Sequence, residues 1–410
     1  MPMRAVELSS SAGRLALSGR EMAVLTDERE MMVDLARRVG QRWGLDYWLD
    51  QDRKKQFPAD AWREICRAGL GSVQLPVEYG GGGLGMVEMA MIVEQLAATG
   101  AGATVGQLFM ITPIFGGITV SKFGTETMKS ELLPALAAGD LICCMALTEP
   151  DAGSNTLEMS TTARRGDGGW YLRGSKIWIT AVPDADKMLV VARTRPISEV
   201  TRRTDGVTMF LIDVDRDGLS HQTIDKVGTN TLASSSVFFD DVWVDDAELV
   251  GTLDGGWPEL LEVLNTERIV TTAALVGAGR LAIRLAVDYA GNRKVFGDTP
   301  IAAYQGIQFP LAQAHAELEC AALMNLDAAS RHDAGQPYGA QANIAKLIGA
   351  QACGAAVDRA MQTLGGMGFA RESHLERLWR DARLFKFAPV SEEMILNFIA
   401  VHALGMPRSY

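Results

Sequence analysis

Cysteine is scarce in this chain, and the few present form no pattern. Cys66, Cys143, Cys144, Cys320 and Cys353 are odd in number and scattered along 410 residues. No CxxC pair or Cys/His cluster occurs, so no metal site is expected, and the usage fits a reducing, cytoplasmic setting. Basic residues are in deficit as well: 39 Lys and Arg face 50 Asp and Glu, a net charge of −11. That balance excludes broad nucleic-acid binding, which needs a basic face. A local basic pocket for an anionic ligand stays compatible with it. No uninterrupted apolar run reaches the roughly 18 residues of a membrane span, so none is expected. Residues 1–24 lack the apolar core of a secretory signal and carry Glu7 and Glu21, which a transit peptide avoids. They read as a disordered or loosely packed extension. His221, His315, His332, His374 and His402 are dispersed and read as structural or surface residues.

What remains is an ordinary globular composition, 48% hydrophobic and 22% charged. The length implies two or three domains. Helical periodicity begins near Leu25, where Thr26 can cap a helix whose first turn carries Asp27 and Glu28. A second helix is predicted from Pro58 to Arg67, stopping near Gly69. Leu75–Gly85, LPVEYGGGGLG, is a loop because its glycines cannot hold a helix. Helical patterns resume over Met86–Ala98 and Gln107–Phe123, and Leu132–Leu136 precedes a stop at Gly139. After Leu141 the pattern changes. Gly168–Thr180, Lys187–Arg195, Gly206–Val214 and Ser234–Val244 are short β-rich runs separated by turn residues, as in a barrel or sandwich. From Pro258 onward the pattern is helical again. The predicted organisation is an extension over 1–24, a helical domain over 25–141, a β-domain over 142–254 and a second helical domain over 255–410.

Two segments stand out in the β region. Ala146–Asn155, ALTEPDAGSN, is turn-rich with Gly153 and Ser154 at its tip; Gly174–Thr180, GSKIWIT, reads as a strand ending in a hydroxyl. Such a pair can close over a flat polar ligand. Glycine permits close backbone approach, hydroxyls donate and accept hydrogen bonds, and Trp178 offers an aromatic face.

The C-terminal half carries a second set of candidates. Leu260, Val263, Leu264, Val270, Ala274 and Leu281 form an apolar stripe at helical spacing, and Glu267 lies on it. Its neighbours three and four residues away include no cation. Two readings follow: a partner from another helix, or a general base whose pKa rises because burial disfavours its charge. Arg293 either grips a pyrophosphate through its planar fork or complements the dipole at a helix end. Gln362–Gly368, QTLGGMG, ends a helix in a glycine turn whose free N–H groups could meet phosphates, although glycines at helix ends are common.

The motifs LTDE, LPVEYGGGGLG, FGTE, ALTEPDAGSN, GSKIWIT, NTERIV, RKVFG, QTLGGMGF and WRDAR occur in one order across nearly the whole chain after Leu25. In that order and spacing the chain resembles an acyl-CoA dehydrogenase. The resemblance implies an α+β fold: an N-terminal helical domain, a middle β-domain and a C-terminal four-helix bundle. It also implies a homotetramer with FAD at a dimer interface, an acyl-CoA substrate and an electron-transfer flavoprotein as acceptor. Thr148, Ser154, Trp178 and Thr180 match positions that contact FAD within one subunit. Arg293, Phe296, Gln362, Gly365 and Gly366 match positions that reach its adenosine side from the neighbouring subunit. Gln305 joins them, although the interval from Phe296 is one residue longer than the family's usual spacing. Ser154, Asn265 and Arg268 fall where the family meets acyl-CoA.

The chemistry that the resemblance implies is oxidation of a Cα–Cβ bond beside a thioester: a base takes the α-proton while hydride leaves the β-carbon for the flavin. Many members place that base in a Glu-Gly-Thr run shortly after the RDA motif. Here the aligned stretch is LFKFAPVSEEM, and Pro389 stands at the Glu position. Proline has no acid–base function. A subset resembling isovaleryl- and long-chain acyl-CoA dehydrogenases carries its base on the earlier helix, and Glu267 stands there; Glu393 is the alternative. FAPVSEEM is also similar to the GGSDEM pattern of crotonobetainyl-CoA-reductase-like members, which makes a reductase a competing reading; Pro389 in place of the usual base leaves a desulfinase-like member, and a non-catalytic flavoprotein is the contrasting class, against which Glu267 and Arg268 beside intact FAD motifs argue. Gln107, Phe109 and Met110 either line an acyl cavity or pack in the core.

Overall fold

Helix caps and glycine stops divide the chain as the sequence pattern anticipates, α then β then α. The computed structural model describes residues 26–408; the extension expected over 1–24 lies outside the described residues. Helix α1 (Asp27–Arg42) starts where Thr26 Oγ1 accepts the N–H of Arg29 at 3.3 Å, above an acidic first turn. Helix α2 (Leu45–Lys54) has no counterpart in the sequence reading, because it buries little beyond Trp48, Leu49 and Asp52. Helix α3 (Ala59–Arg67) follows. Leu75–Gly85 is a loop with one 3₁₀ turn over Val77–Tyr79. Gly81 is required there: a Cβ would lie 2.1 Å from the Leu75 carbonyl oxygen.

Helix α4 (Met86–Leu96) passes into a π turn. The helix expected over Gln107–Phe123 is not uniform. It is built from α5 (Thr104–Phe109), a π-helical stretch over Met110–Ile118, and α6 (Thr119–Phe123). Pro113 lies inside the π stretch; it has no N–H for an ordinary helical bond. Helix α7 (Glu126–Ala138) ends on Gly139 at φ 77°, a left-handed stop.

The strands are β1 (Cys143–Ala146), β2 (Thr162–Gly166), β3 (Gly169–Thr180), β4 (Lys187–Arg193), β5 (Val207–Asp213), β6 (Leu219–Ile224), β7 (Ser234–Asp245) and β8 (Leu249–Val250). Among the described residues they form one eight-stranded sheet, ordered β6-β7-β3-β2-β4-β5-β8 with β1 parallel to β4. Strands β1, β2, β6 and β8 go unread in the sequence because they are short or polar. Cys144, Ala163, Trp170, Leu172, Val190, Phe210 and Val237 share one core, so the sheet curls about a single apolar interior. The opposite faces of β4 and β5 present Leu189, Val191, Met209 and Leu211 to Val120, Leu133 and Leu136 of the helical region. Both faces of these two strands are therefore buried, which is why they read as continuous apolar runs.

Three long helices build the last region: α8 (Gly256–Asn292), α9 (Gln305–Asp333) and α10 (Gly339–Leu364). Two short ones complete it, α11 (Leu375–Leu384) and α12 (Glu392–Phe398). Against the expectation of no span, Thr104–Phe123 and Gly256–Asn292 are long and apolar enough to cross a membrane by length and hydropathy. Their apolar windows are 89% and 83% buried inside the fold, so both act here as core helices. Small residues allow this packing: a Cβ on Gly106 would meet Ala274 Cβ at 2.6 Å, and one on Gly277 would meet the Glu94 carbonyl oxygen at 2.2 Å.

Helix α11 pins the three regions together. Buried Arg377 donates to the Gly100 and Ala101 carbonyls at 2.6 and 3.1 Å. Asp381 accepts the Thr229 N–H at 2.5 Å from the β6–β7 connection. Arg380 reaches Asp52 at 2.7 Å and the Val227 carbonyl at 2.9 Å. Arg377, with Arg380 and Asp381 of the WRDAR motif, thus forms a three-way clamp.

Candidate active site

The register of strand β3 against β7 shifts twice, between Leu172 and Gly174 and again near its end between Lys176 and Ile179. Within that irregularity Trp178 adopts φ 63°, a left-handed conformation that side chains of its size rarely hold. The consequence is local and useful: Trp178 stands 55% exposed while Ile179 returns to the core. Thr180 and Thr148 are half-buried close by, for the Ile177 N–H donates to the Thr148 carbonyl at 2.9 Å.

The two β-region motifs are fastened by a buried ion pair. Lys176, inward-facing and 0% exposed, donates to Glu149 Oε1 and to the Leu147 carbonyl, both at 2.9 Å. Glu149 also accepts the N–H groups of Ser160 and Thr161 at 2.6 and 2.9 Å. Burial pushes the Glu149 carboxyl up, but the Lys176 ammonium and these hydrogen bonds more than offset it and hold the carboxyl at about 2. Burial lowers the Lys176 ammonium to about 8 against the pull of Glu149, so both groups are charged at neutral pH. Beyond the pair, reciprocal 3.2 Å bonds between Glu149 and Ala152 close a tight turn that leaves Gly153 and Ser154 exposed. Neither Glu149 nor Lys176 figures among the residues anticipated for the site. The available signal was a lysine inside the GSKIWIT motif itself, two residues before Trp178.

Helix α8 supplies a second cluster. Glu267 is 3% exposed, and its carboxyl makes no hydrogen bond or ion pair with the described residues. Burial raises its carboxyl to about 7, opposed by the charges of Arg268 and Lys346. The cation from another helix is therefore present, yet Lys346 is bonded to carbonyl oxygens, not to Glu267. Arg268, buried alongside, donates to Asn265 Oδ1, and its Nε has no partner among the described residues. Pro389 follows a cis bond in the turn between α11 and α12, and Glu393 is exposed in the first turn of α12. Phe109 is fully buried, edge-on to Trp62 at 5.6 Å, and belongs to the core; Gln107 is buried with its Oε1 unpartnered, and Met110 is half-buried.

The remaining candidates gather elsewhere. Helices α8, α9 and α10 run up, down and up, so Arg293 at the end of α8, Gln305 at the start of α9, and Gln362, Gly365 and Gly366 at the end of α10 share one end of the bundle. All are exposed; Phe296 is 98% exposed, and a Cβ at Gly365 or Gly366 would meet nothing. No hydrogen bond among the described residues joins this set to Trp178 or Thr148. Each set presents an open face of its own.

Comparison with known proteins identifies the family. Family models described as the N-terminal, middle and C-terminal domains of acyl-CoA dehydrogenase match residues 26–140, 144–242 and 254–404. The chain is 40% identical over 370 residues to acyl-CoA dehydrogenase FadE12 of Mycobacterium tuberculosis, covering 90% of this chain and 94% of that protein. A structure of glutaryl-coenzyme A dehydrogenase in complex with glutaryl-CoA superposes with a TM-score of 0.88 at 26% identity, covering 94% and 97% of the two chains. The FAD complex of PigA gives 0.87 at 25% identity, covering 93% and 98%. The chain belongs to the acyl-CoA dehydrogenase family and is an oxidoreductase of that class.

Proposed function

We propose that this enzyme is an FAD-dependent dehydrogenase that introduces an α,β double bond into an acyl-CoA thioester, with Glu267 as the base. The observation that carries the reading is Glu267 itself: a buried carboxyl with no hydrogen-bond partner among the described residues, raised to about 7, on the helix that also carries Asn265 and Arg268. A general base works best with a pKa near the operating pH. Pro389, at the position where many relatives are expected to carry their base, leaves that role open.

The cofactor is FAD, and the residues present fit it. Trp178 is exposed near the end of β3, Thr180 is half-buried two residues on, and half-buried Thr148 is held to the same strand through the Ile177 N–H. Ser154 lies on an open loop tip. Arg293, Phe296, Gln305, Gln362, Gly365 and Gly366 offer a cationic, aromatic and small-residue face that suits the adenosine end of FAD bound to a neighbouring subunit. This division implies a homo-oligomer, a tetramer by family resemblance. When bound, FAD supplies the two-electron acceptor for hydride from the β-carbon.

The chain's own residues carry the rest. Glu267 accepts the α-proton and becomes a neutral acid, a change that burial favours. Arg268, next to Glu267 on α8 and hydrogen-bonded to Asn265, supplies a cation for the thioester end, and Ser154 is a second contact for it. An electron-transfer flavoprotein would be the partner that accepts the electrons. An anaerobic screen of purified holoenzyme against saturated straight-chain, branched and cyclic acyl-CoA thioesters tests the reading. Bleaching of the flavin absorbance by at least one of them is expected; bleaching by none, with reoxidation of reduced enzyme by enoyl-CoA only, would instead identify a reductase.

A further inference from the structure

The segment carrying Pro389 is tied down by one side chain. Lys346, on α10, is 0% exposed, and its Nζ donates to the Phe385 carbonyl at 2.7 Å and to the Val390 carbonyl at 2.5 Å. Those two carbonyls bracket Lys386–Pro389, the turn between α11 and α12. An apolar residue at this position could not hold both.

Lys346 also lies at the level of Glu267. Helices α8 and α10 are parallel and in close register: a Cβ on Gly339 would stand 3.9 Å from the Asn265 amide, and one on Gly349 would stand 3.0 Å from Thr272 Cγ2. Glu267 falls between Asn265 and Thr272 on one helix, and Lys346 between Gly339 and Gly349 on the other. Both hydrogen-bond partners of Lys346 are neutral carbonyls, so its charge is not consumed by a carboxylate. The charged groups that act on it are Glu267 and Arg268 from α8 and Glu392 and Glu393 from α12. Those acting on Glu267 are Arg268 and Lys346. Arg268 is turned to Asn265 and lies beside Tyr338.

We propose that Lys346 is a positioning residue for the site: it closes the Pro389 turn onto α10 and presents a fixed positive charge to the carboxyl of Glu267. This rests on the reading of Glu267 as the base. Burial lowers the Lys346 ammonium to about 8, which leaves it charged at neutral pH. Its removal takes away one of the two cations that restrain the Glu267 carboxyl from rising further, while the flavin-facing residues Trp178 and Arg293 are untouched.

The test compares Lys346→Met, Lys346→Gln and Lys346→Arg holoenzymes. The infrared band of a protonated carboxyl, assigned by its loss in Glu267→Gln, is followed against pH, together with the pH profile of kcat/KM. In Lys346→Met and Lys346→Gln both midpoints should move up by about one pH unit, roughly a tenfold change in the ionisation constant. Lys346→Arg should stay near the parent value. An unchanged midpoint in a folded neutral variant overturns the proposal. If neither neutral variant folds, the Lys346 ammonium is titrated by lysine-labelled NMR in the parent and in Glu267→Gln: its midpoint should fall once the carboxylate is gone, and an unmoved midpoint overturns the proposal. The infrared arm reads the coupling even if Glu267→Gln retains turnover, so failure of the base assignment is seen separately.

Discussion

Lys176 and Glu149 form a buried ion pair at 2.9 Å that fastens the loop after β1 to the strand carrying Trp178. Removing one partner of a buried pair leaves an uncompensated charge and costs about 3–5 kcal/mol. Lys176→Met should therefore lower the melting temperature and weaken flavin retention together. Retention of both at parental levels, measured by thermal melting and the flavin-to-protein absorbance ratio, would show that the pair is dispensable.

The same pair sets an acid limit. The Glu149 carboxyl is held at about 2 in the fold, below its usual value of 4.5. Its contribution is fully present above the unfolded value and is lost as pH falls from about 4.5 to about 2, because the unfolded chain binds the extra proton. Circular dichroism of parent and Glu149→Gln across that window should show a steeper acid loss in the parent.

Glu267→Gln should keep FAD and fold normally yet lose turnover, by about 10²- to 10⁴-fold for loss of a general base. Stopped-flow flavin bleaching measures it directly. Near-parental bleaching would move the base elsewhere, with Glu393 the first alternative.

The pH dependence of Glu267 has the opposite sign to that of Glu149. Its carboxyl is raised to about 7, so kcat/KM should climb as pH rises through about 7 and flatten above it. Between about 4.5 and 7 the folded chain holds a proton that the unfolded chain releases, so this group's contribution to stability declines as pH rises through that window. Glu267→Gln should abolish that decline in denaturant titrations.

Trp178 separates binding from stability. With its ring 55% exposed and its backbone at φ 63°, Trp178→Ala should change unfolding free energy by less than about 1 kcal/mol. Flavin affinity should fall markedly. Equal losses in melting temperature and affinity would place the ring in the structural core instead.

Much of this protein was legible in its sequence because the signals are local. Thr26 caps α1, Gly139 stops α7, and the apolar runs of β4 and β5 announce strands, since each depends on neighbours a few positions away. Ordered motifs likewise pointed to the family and to Glu267 on its helix. Strands such as β2 and β6 escaped because polar, half-exposed strands carry little apolar alternation. The break at Met110–Ile118 escaped because a π stretch keeps the composition of a helix.

What the sequence could not decide is what lies across from each candidate. Burial, and therefore the raised carboxyl of Glu267, exists only once α8 and α10 are packed in register. Lys176 and Glu149, 27 residues apart, meet only because β3 is threaded past the loop after β1. The clamp from Asp381 to Thr229 spans 152 residues. Sequence determined which chemical groups were available and which local elements would carry them. Tertiary structure decided their solvation and their partners, because desolvation and charge proximity are properties of packed surfaces, not of neighbours along a chain.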